Sequence, residues 1–598
     1  MKPGRICRLA ILALSIASAS AADLKLDILP RWTGAPLEFD ALALATPAGQ
    51  PVSVTRLDLL LSRFALHRVD GPWVERTNCF AYVNSREGQT HVHISEWPHG
   101  RFDRLRFSVG VPAIENHADP AGLAADHPLN PNVNGLHWNW QGGYVFFALE
   151  GNWRPGGAAA GQRGYSWHIA TDRLLTLIEL PIDPSSNPEL RLALDVDRLF
   201  SIPLSEETSS THSRNGDEFA ARLARELGKS FAVLPATPTP GPAAAVQKTV
   251  AGSEIGAPLM APNATPYRLV LSRHFPQPAL PLDNPLTEEG VELGRRLFHD
   301  VRLSMNNRQS CASCHQAGNG FTDAGNRFSS GAEGQLGTRN TMPLLNLAWK
   351  KAFFWDGRAA SLREQVLMPI RNPIEMHETL SNVVAKLIVA KNAPIEAPDF
   401  QQLFARAFGT PEINPDRIAR ALEQFLLVQV SRDSKFDRAL NGEAELNDEE
   451  KRGFELFQTE YDPRRGQFGA DCFHCHGGPL FQSQSFANNG LDAAFKNKGR
   501  STASGRAGDD GKFAVPSLRN IAATGPYMHD GRFASLEEVV EHYASGVQRS
   551  ATLDPNLAKH PNGGIPLSTG DKRALVAFLR TLTDEHFSPS RDTLARSP

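Results

Sequence analysis

From Val54 to Ile182 the chain alternates short apolar runs with glycine, proline and charged residues. VTRLDLLLSRFALHRV, THVHISEW, RFDRLRFSVGV, GYVFFALEG and LLTLIELPI are rich in β-branched and aromatic side chains, and several alternate in polarity. That pattern predicts strands, so residues 22 to about 205 read as all-β, a sandwich or barrel. From Asp217 to Phe231 the period lengthens, with Phe219, Leu223 and Leu227 on one face of a predicted helix. LPATPTPGPAAAV then begins a Pro/Ala-rich stretch with little periodicity that reads as a linker over 235–266.

Beyond the linker the pattern is helical and occurs twice. GRRLFHD followed by CASCH is echoed by GFELFQT followed by CFHCH; WDGRAASLREQV is echoed by HDGRFASLEEVV, and RNTMPLLNLA more loosely by VPSLRNIAATGP. Three segments in the same order twice imply a duplicated unit, with lobes at 267–440 and 441–598. The predicted fold class is therefore multidomain: an N-terminal all-β domain (22–234) and a mainly α unit of two related lobes.

Composition and charge narrow the setting. A formal net charge of −3 over 598 residues gives no field for nucleic acid. Lys2, Arg5 and Arg8 precede a short apolar run and Ala19-Ser20-Ala21, the pattern of a cleaved signal peptide over 1–21. No later run is long enough to span a membrane. The expectation is an exported, soluble, periplasmic protein.

Four of the six cysteines form two C-x-x-C-H motifs, Cys311, Cys314 and His315, and Cys472, Cys475 and His476. This is the attachment signature of c-type haem: two thioethers fix the porphyrin and the adjacent histidine becomes an iron ligand. In the second lobe, Ser535 and Glu538 form a capping box, and Leu536, Val539, Val540 and Tyr543 share one helix face, with Glu541 and His542 directed elsewhere. Tyr543 there suits either core packing or iron ligation. In the first lobe Gln365 falls on the corresponding inward face, where an amide needs a partner. Glu375 follows in RNPIEM, as a peroxide general base or a capped surface turn.

The C-terminal unit, over residues 280–590, resembles the bacterial di-haem cytochrome c peroxidase family, and within it the MauG and MbnH branch. The motifs that carry this are CASCH, GAEGQLGTRN, FWDGRAASLREQ, NPIEM, CFHCH and LRNIAATGPYMHDGRFASLEEVVEHY. The resemblance implies a peroxide-reacting haem in lobe 1 and an electron-transfer haem in lobe 2, with Trp355 as relay. Gln365, Pro369 and Glu375 match the distal pocket, and Asn340, Thr524 and Pro526 match a calcium site between the lobes. Ala332 stands where many relatives place a blocking histidine, implying an open haem 1. Tyr543 stands where they place methionine, and tyrosine is the MauG-like choice.

The β domain resembles the MbnP-like copper-binding family over 24–231, through GLHWNWQGGYVFFALEG, YSWHIAT and the THS-plus-helix ending. Copper-binding members often carry a four-cysteine pattern, whereas this domain has only Cys79. Imidazole suits copper; His137 and His168 are the first candidate ligands, and His91 and His93 the reserve pair. The resemblance implies conversion of a tryptophan toward kynurenine beside the copper, Trp138 first and Trp140 second. The expected function is an exported di-haem oxidase that spends hydrogen peroxide on a tryptophan of its own β domain. The alternatives are a peroxidase fed by a small periplasmic electron-transfer protein, and a non-enzymatic copper-carrier and electron-transfer fusion.

Overall fold

The structure is a computed structural model describing residues 22–97, 99–138, 142–155, 161–183, 189–214, 216–235, 259–388, 399–560 and 562–588. The expected signal peptide, Trp140 and most of the expected linker lie outside these residues.

The N-terminal domain is a two-sheet sandwich. The larger sheet orders its central strands as Thr176–Pro181, Phe102–Val109, Arg56–Arg68, Gly143–Trp153, Arg163–Ala170 and Ser210–Thr211. The smaller is built around Ala22–Trp32, which pairs in parallel with Glu189–Asp195 and antiparallel with His91–Trp97. Leu24, Leu26 and Ile28 of one sheet and Leu57, Leu59, Phe147 and Leu149 of the other share a single core. Alternation sends every second residue into it.

Gly143–Trp153 departs from simple alternation, being buried on both faces. Phe147 and Leu149 enter the inter-sheet core, while Tyr144, Phe146 and Ala148 join a second cluster with Leu129 and Leu136. Glu150 continues that outer row, and Ala148 pairs across the ladder with His168. Two polar side chains are thereby placed on a covered outer face, which needs a partner to satisfy them.

The helix over 217–231 ends early. Asp217 caps Glu218–Gly228, and Phe231 lies instead in the strand Phe231–Val233 paired with Leu192–Leu194. Phe231 is drawn into the sandwich core by packing edge-on against Phe107, with ring centroids 5.4 Å apart. The far end of the expected linker is also packed. Ala261 is buried and donates its N–H to Ala407, and Pro266 bridges to Thr287.

The duplication has a physical basis in one glycine per lobe. A Cβ on Gly294 would lie 1.9 Å from the Ala421 carbonyl, and one on Gly453 would lie 1.9 Å from that of Ala574. Glu288–Phe298 thus crosses Pro415–Leu427, and Asp448–Phe457 crosses Thr569–Thr581, at backbone contact in both lobes. Phe425 and Phe578 flank the two crossings at equivalent places. The turns before the serine-capped helices that begin after Ser361 and Ser535 match too, with bridges Phe353–Ala359 and Tyr527–Phe533.

Candidate functional site

In lobe 1, Cys311–Cys314 forms one helical turn, opened by reciprocal capping between Ser310 and Ser313. His315 Nδ1 lies 2.8 Å from the Phe321 carbonyl, so it donates there and leaves Nε2 as a ligand atom. A cavity of about 850 Å³ is lined by both cysteines, His315, Gln365, Pro369 and Glu375, with Arg358 and Trp355 also on its wall. It fits a c-type haem in volume and in donor set. Burial pushes the Cys311 thiol up to about 12, the opposite of the depressed values of reactive dithiols.

Glu375 is held by its own turn: its Oε1 accepts from Asn372 Nδ2 at 2.6 Å, and its carbonyl accepts from the Ala332 N–H at 2.7 Å. The GAEGQLG loop is therefore pinned to NPIEM. Burial raises the Glu375 carboxyl above the ordinary carboxylate range, against a lowering contribution from its hydrogen bond with Asn372 and from the Arg358 guanidinium. Arg358, missed from sequence, sits in the repeated DGR turn over the Phe354 ring.

Trp355 joins the lobes. Its indole N–H donates to Asn340 in lobe 1 at 2.8 Å, while its own carbonyl accepts from Ala514 of lobe 2 at 2.8 Å. Lys350 beside it donates to Val515 at 2.8 Å, and burial pushes its ammonium down to about 8. Asn340 and Thr524, two of the three expected calcium positions, are buried. The third, Pro526, follows Gly525, whose carbonyl receives the Gly325 N–H of lobe 1.

Lobe 2 repeats the arrangement: Cys472–His474 is one 3-10 turn, and His476 Nδ1 lies 3.2 Å from the Phe481 carbonyl. The capping box of Ser535 and Glu538 opens Leu536–Glu541, as the sequence predicts. The helix then widens into a π turn over His542–Gly546, a form common at functional positions. The wider turn carries His542 inward as well, with Nε2 on the Asn489 carbonyl at 3.0 Å, which corrects the outward direction expected from α-helical spacing. Tyr543 Oη accepts from Asn489 Nδ2 at 3.3 Å. Burial holds its phenol above the ordinary value, although Asn489 pulls the other way; a cation at that oxygen would offset the burial.

The β domain seats on this lobe. Trp138 pairs with Gly143 at the edge of the sheet, and its ring packs on Phe473, between Cys472 and Cys475, with centroids 6.3 Å apart. The same ring lies 5.7 Å from His168 and 5.5 Å from His212. The expected ligand pair His137 and His168 is not assembled. Neighbouring residues of a strand point to opposite faces, and His137 packs edge-on against Tyr144 with centroids 4.6 Å apart. His168 meets His212 instead, with centroids 4.8 Å apart. The parallel pairing of Trp167 with Thr211 places the residue after each side by side. The reserve pair is remote, on the smaller sheet, where His91 and His93 are exposed and face Asp27 and Asp23.

Comparisons with known proteins agree with this division. The di-haem cytochrome c peroxidase family, in its MauG-containing form, matches residues 288–445, and the MbnP family matches residues 21–216. The methylamine utilization protein MauG of Methylorubrum extorquens is 39% identical over 321 residues, covering 53% of this chain and 84% of the relative. Cytochrome c551 peroxidase of Nitrosomonas europaea is 37% identical over 324 residues, covering 53% of this chain and 86% of the relative. A solved MauG-like protein associated with microbial copper homeostasis is 34% identical, covers 54% of this chain and 99% of its own, and superposes with a TM-score of 0.47. With two C-x-x-C-H turns, the Glu375 carboxyl on the wall of the first cavity and relatives of this similarity, the chain belongs to the MauG-like di-haem cytochrome c peroxidase family, peroxide-dependent oxidoreductases with two c-type haems, and carries an MbnP domain ahead of that unit.

Proposed function

We propose that this chain, exported to the periplasm, uses hydrogen peroxide at lobe 1 to oxidise Trp138 of its own β domain toward kynurenine, maturing a copper site beside His168. The observation that carries the reading is the seat of the Trp138 indole on Phe473, inside the C-x-x-C of lobe 2. Cys311, Cys314 and His315 would hold one haem and Cys472, Cys475 and His476 the other, with the Tyr543 phenol offered as a further donor to the second. When bound, the haems supply O–O cleavage and storage of oxidising equivalents.

The protein's part is to place and to move charge. Glu375 takes the peroxide proton from one oxygen and returns it to the leaving oxygen. Gln365 orients the peroxide, and Pro369 shapes the wall above it. Trp355, bonded to both lobes, relays electrons between them, and Asn340, Thr524 and Pro526 would hold a calcium ion at the lobe contact. Each oxygen atom gained by the indole consumes one peroxide and releases one water. The C2–C3 bond of the indole breaks, and hydrolysis of the N-formyl product releases formate.

Peptide mass spectrometry of the full-length di-haem protein before and after peroxide tests this. Oxidation is expected at Trp138 in the 134–144 peptide, at a rate independent of protein concentration, and is absent in Trp138→Phe. An unmodified peptide in protein that still oxidises a reduced small cytochrome would replace this reading with that of a simple peroxidase. For lobe 2, Tyr543→Phe is expected to change the visible and EPR spectra of that haem alone; an unchanged spectrum removes Tyr543 as ligand.

A further inference from the structure

Three imidazoles converge where the β domain meets lobe 2. His168 and His212 come from the outer face of the larger sheet, and His474 is the residue just before Cys475 in CFHCH. His168 Nδ1 and His212 Nε2 are buried without a hydrogen-bond partner, and His474 Nε2, also buried, has only the Glu460 carboxylate at a loose 3.5 Å. One ligand atom from each ring lies within 4.8 Å of the others. A buried polar atom left unpaired costs roughly 1–3 kcal/mol. Unpaired buried nitrogens on rings gathered at ligand spacing indicate a non-protein partner there.

The remaining atoms of two rings are oriented by carboxylates. His168 Nε2 lies 2.9 Å from Glu150 Oε1, and His212 Nδ1 lies 2.7 Å from Glu460 Oε2. A carboxylate behind a ring is the usual outer support of a metal-bound histidine: it selects the tautomer and aims the free nitrogen. Here it leaves Nδ1 of His168 and Nε2 of His212 as the atoms free to ligate. The adjoining set, Glu460, Asp471 and His474, also has ligand-like spacing. It is already filled by an ammonium, since Lys559 Nζ contacts Glu460 and lies 3.1 Å from Asp471.

We propose that His474 completes, with His168 and His212, a three-imidazole site for one copper ion, so that the haem lobe itself supplies a ligand to the metal of the β domain. An all-nitrogen set favours copper over magnesium or calcium, and within the divalent series copper binds such ligands most tightly. Trigonal bonds of about 2.0 Å would set the nitrogens roughly 3.5 Å apart, inside the 4.8 Å that the three ligand atoms already satisfy. This goes beyond the oxidation proposed above and does not require it: the ligands are native side chains, present before any peroxide is added.

The test uses full-length di-haem protein never exposed to peroxide and stripped of other metals. Copper(I) is titrated against a chromophoric chelator, and the copper-loaded sample is measured by X-ray absorption at the copper edge, which is blind to the haem irons. Wild-type protein is expected to bind one copper per chain with three imidazoles in its scattering pattern. His474→Ala is expected to weaken binding by at least about tenfold, the lower end of what losing even an outer-shell partner costs. Unaltered affinity in His474→Ala, a wild-type site with two imidazoles or fewer, or no copper retained by wild type would each overturn the proposal. The scattering measurement needs no substitution and decides the matter even if the variant fails to fold.

Discussion

Glu375→Gln is expected to slow the reaction with peroxide by about 10²–10⁴-fold, the usual worth of a positioned general acid–base group. Glutamine keeps the shape and can hold the bond to Asn372, so the cavity should survive; only the capacity to carry a proton is lost. The environment suits that capacity. Burial raises the carboxyl, and the nearby Arg358 only partly offsets it, which brings the group closer to the pH at which it works. The sign of the pH dependence follows. The base form takes the first proton, so wild-type rates fall as pH drops through the raised value, and the glutamine variant lacks that acid limb. Stopped-flow mixing of each protein with peroxide across pH reads both effects. A glutamine variant within a few-fold of wild type, with the acid limb intact, would remove Glu375 from the chemistry.

Cavity residues of this kind were readable in the sequence because each lies in a local motif. The two C-x-x-C-H turns and the Ser535 capping box act within a few residues of themselves, and the duplication shows as a repeated order of segments. Local signals failed where long-range packing decided. Phe231 continues a helical period but ends in a strand, because the sandwich core offered its ring more contact than the helix did. The π turn at His542–Gly546 leaves no mark on an α-helical wheel, which therefore places His542 on the wrong side. The histidine cluster was hidden for a different reason. Its rings come from three segments, 168, 212 and 474, that become neighbours only once two domains dock. His474 carried one signal, a second imidazole inside a C-x-x-C-H motif, but nothing in the sequence pointed it toward the β domain. His137 misled by its nearness to Trp138, since adjacent strand residues face apart.

Lys559→Met is expected to destabilise the contact between the β domain and lobe 2 by about 3–5 kcal/mol, the usual cost of stripping one partner from a buried ion pair. Lys559 is buried with Glu460 and Asp471, and His560 Nε2 lies 2.7 Å from the same Asp471 carboxylate. Without the ammonium, two carboxylates remain in a dry interface with imidazoles as their main company. Glu460 is also the residue that reaches across to the β domain, accepting from Ser210 Oγ at 3.3 Å and facing His212. The turn that presents Lys559 follows Pro555, whose carbonyl would be 1.9 Å from a Cβ at Gly164, so the two units meet there backbone to backbone. A strained Glu460 should therefore loosen the strand Arg163–Ala170 and move His168 and Trp138 off the haem lobe. Peroxide consumption at lobe 1 should persist, because the Glu375 cavity is built from other residues, while oxidation of Trp138 falls sharply. Burial alone would raise both carboxyls, yet the Lys559 ammonium, joined by the His212 imidazole beside Glu460, holds both below their ordinary range in the wild type. Their contribution is thus complete above the ordinary carboxylate values of about 4 and is lost as pH falls through the depressed ones. The deficit of the methionine variant should be largest near neutrality and narrow in acid. Hydrogen exchange along 163–170, read with peptide mass spectrometry after peroxide, checks both halves. Wild-type protection together with wild-type Trp138 oxidation in the variant would show that this buried network does not hold the indole in place.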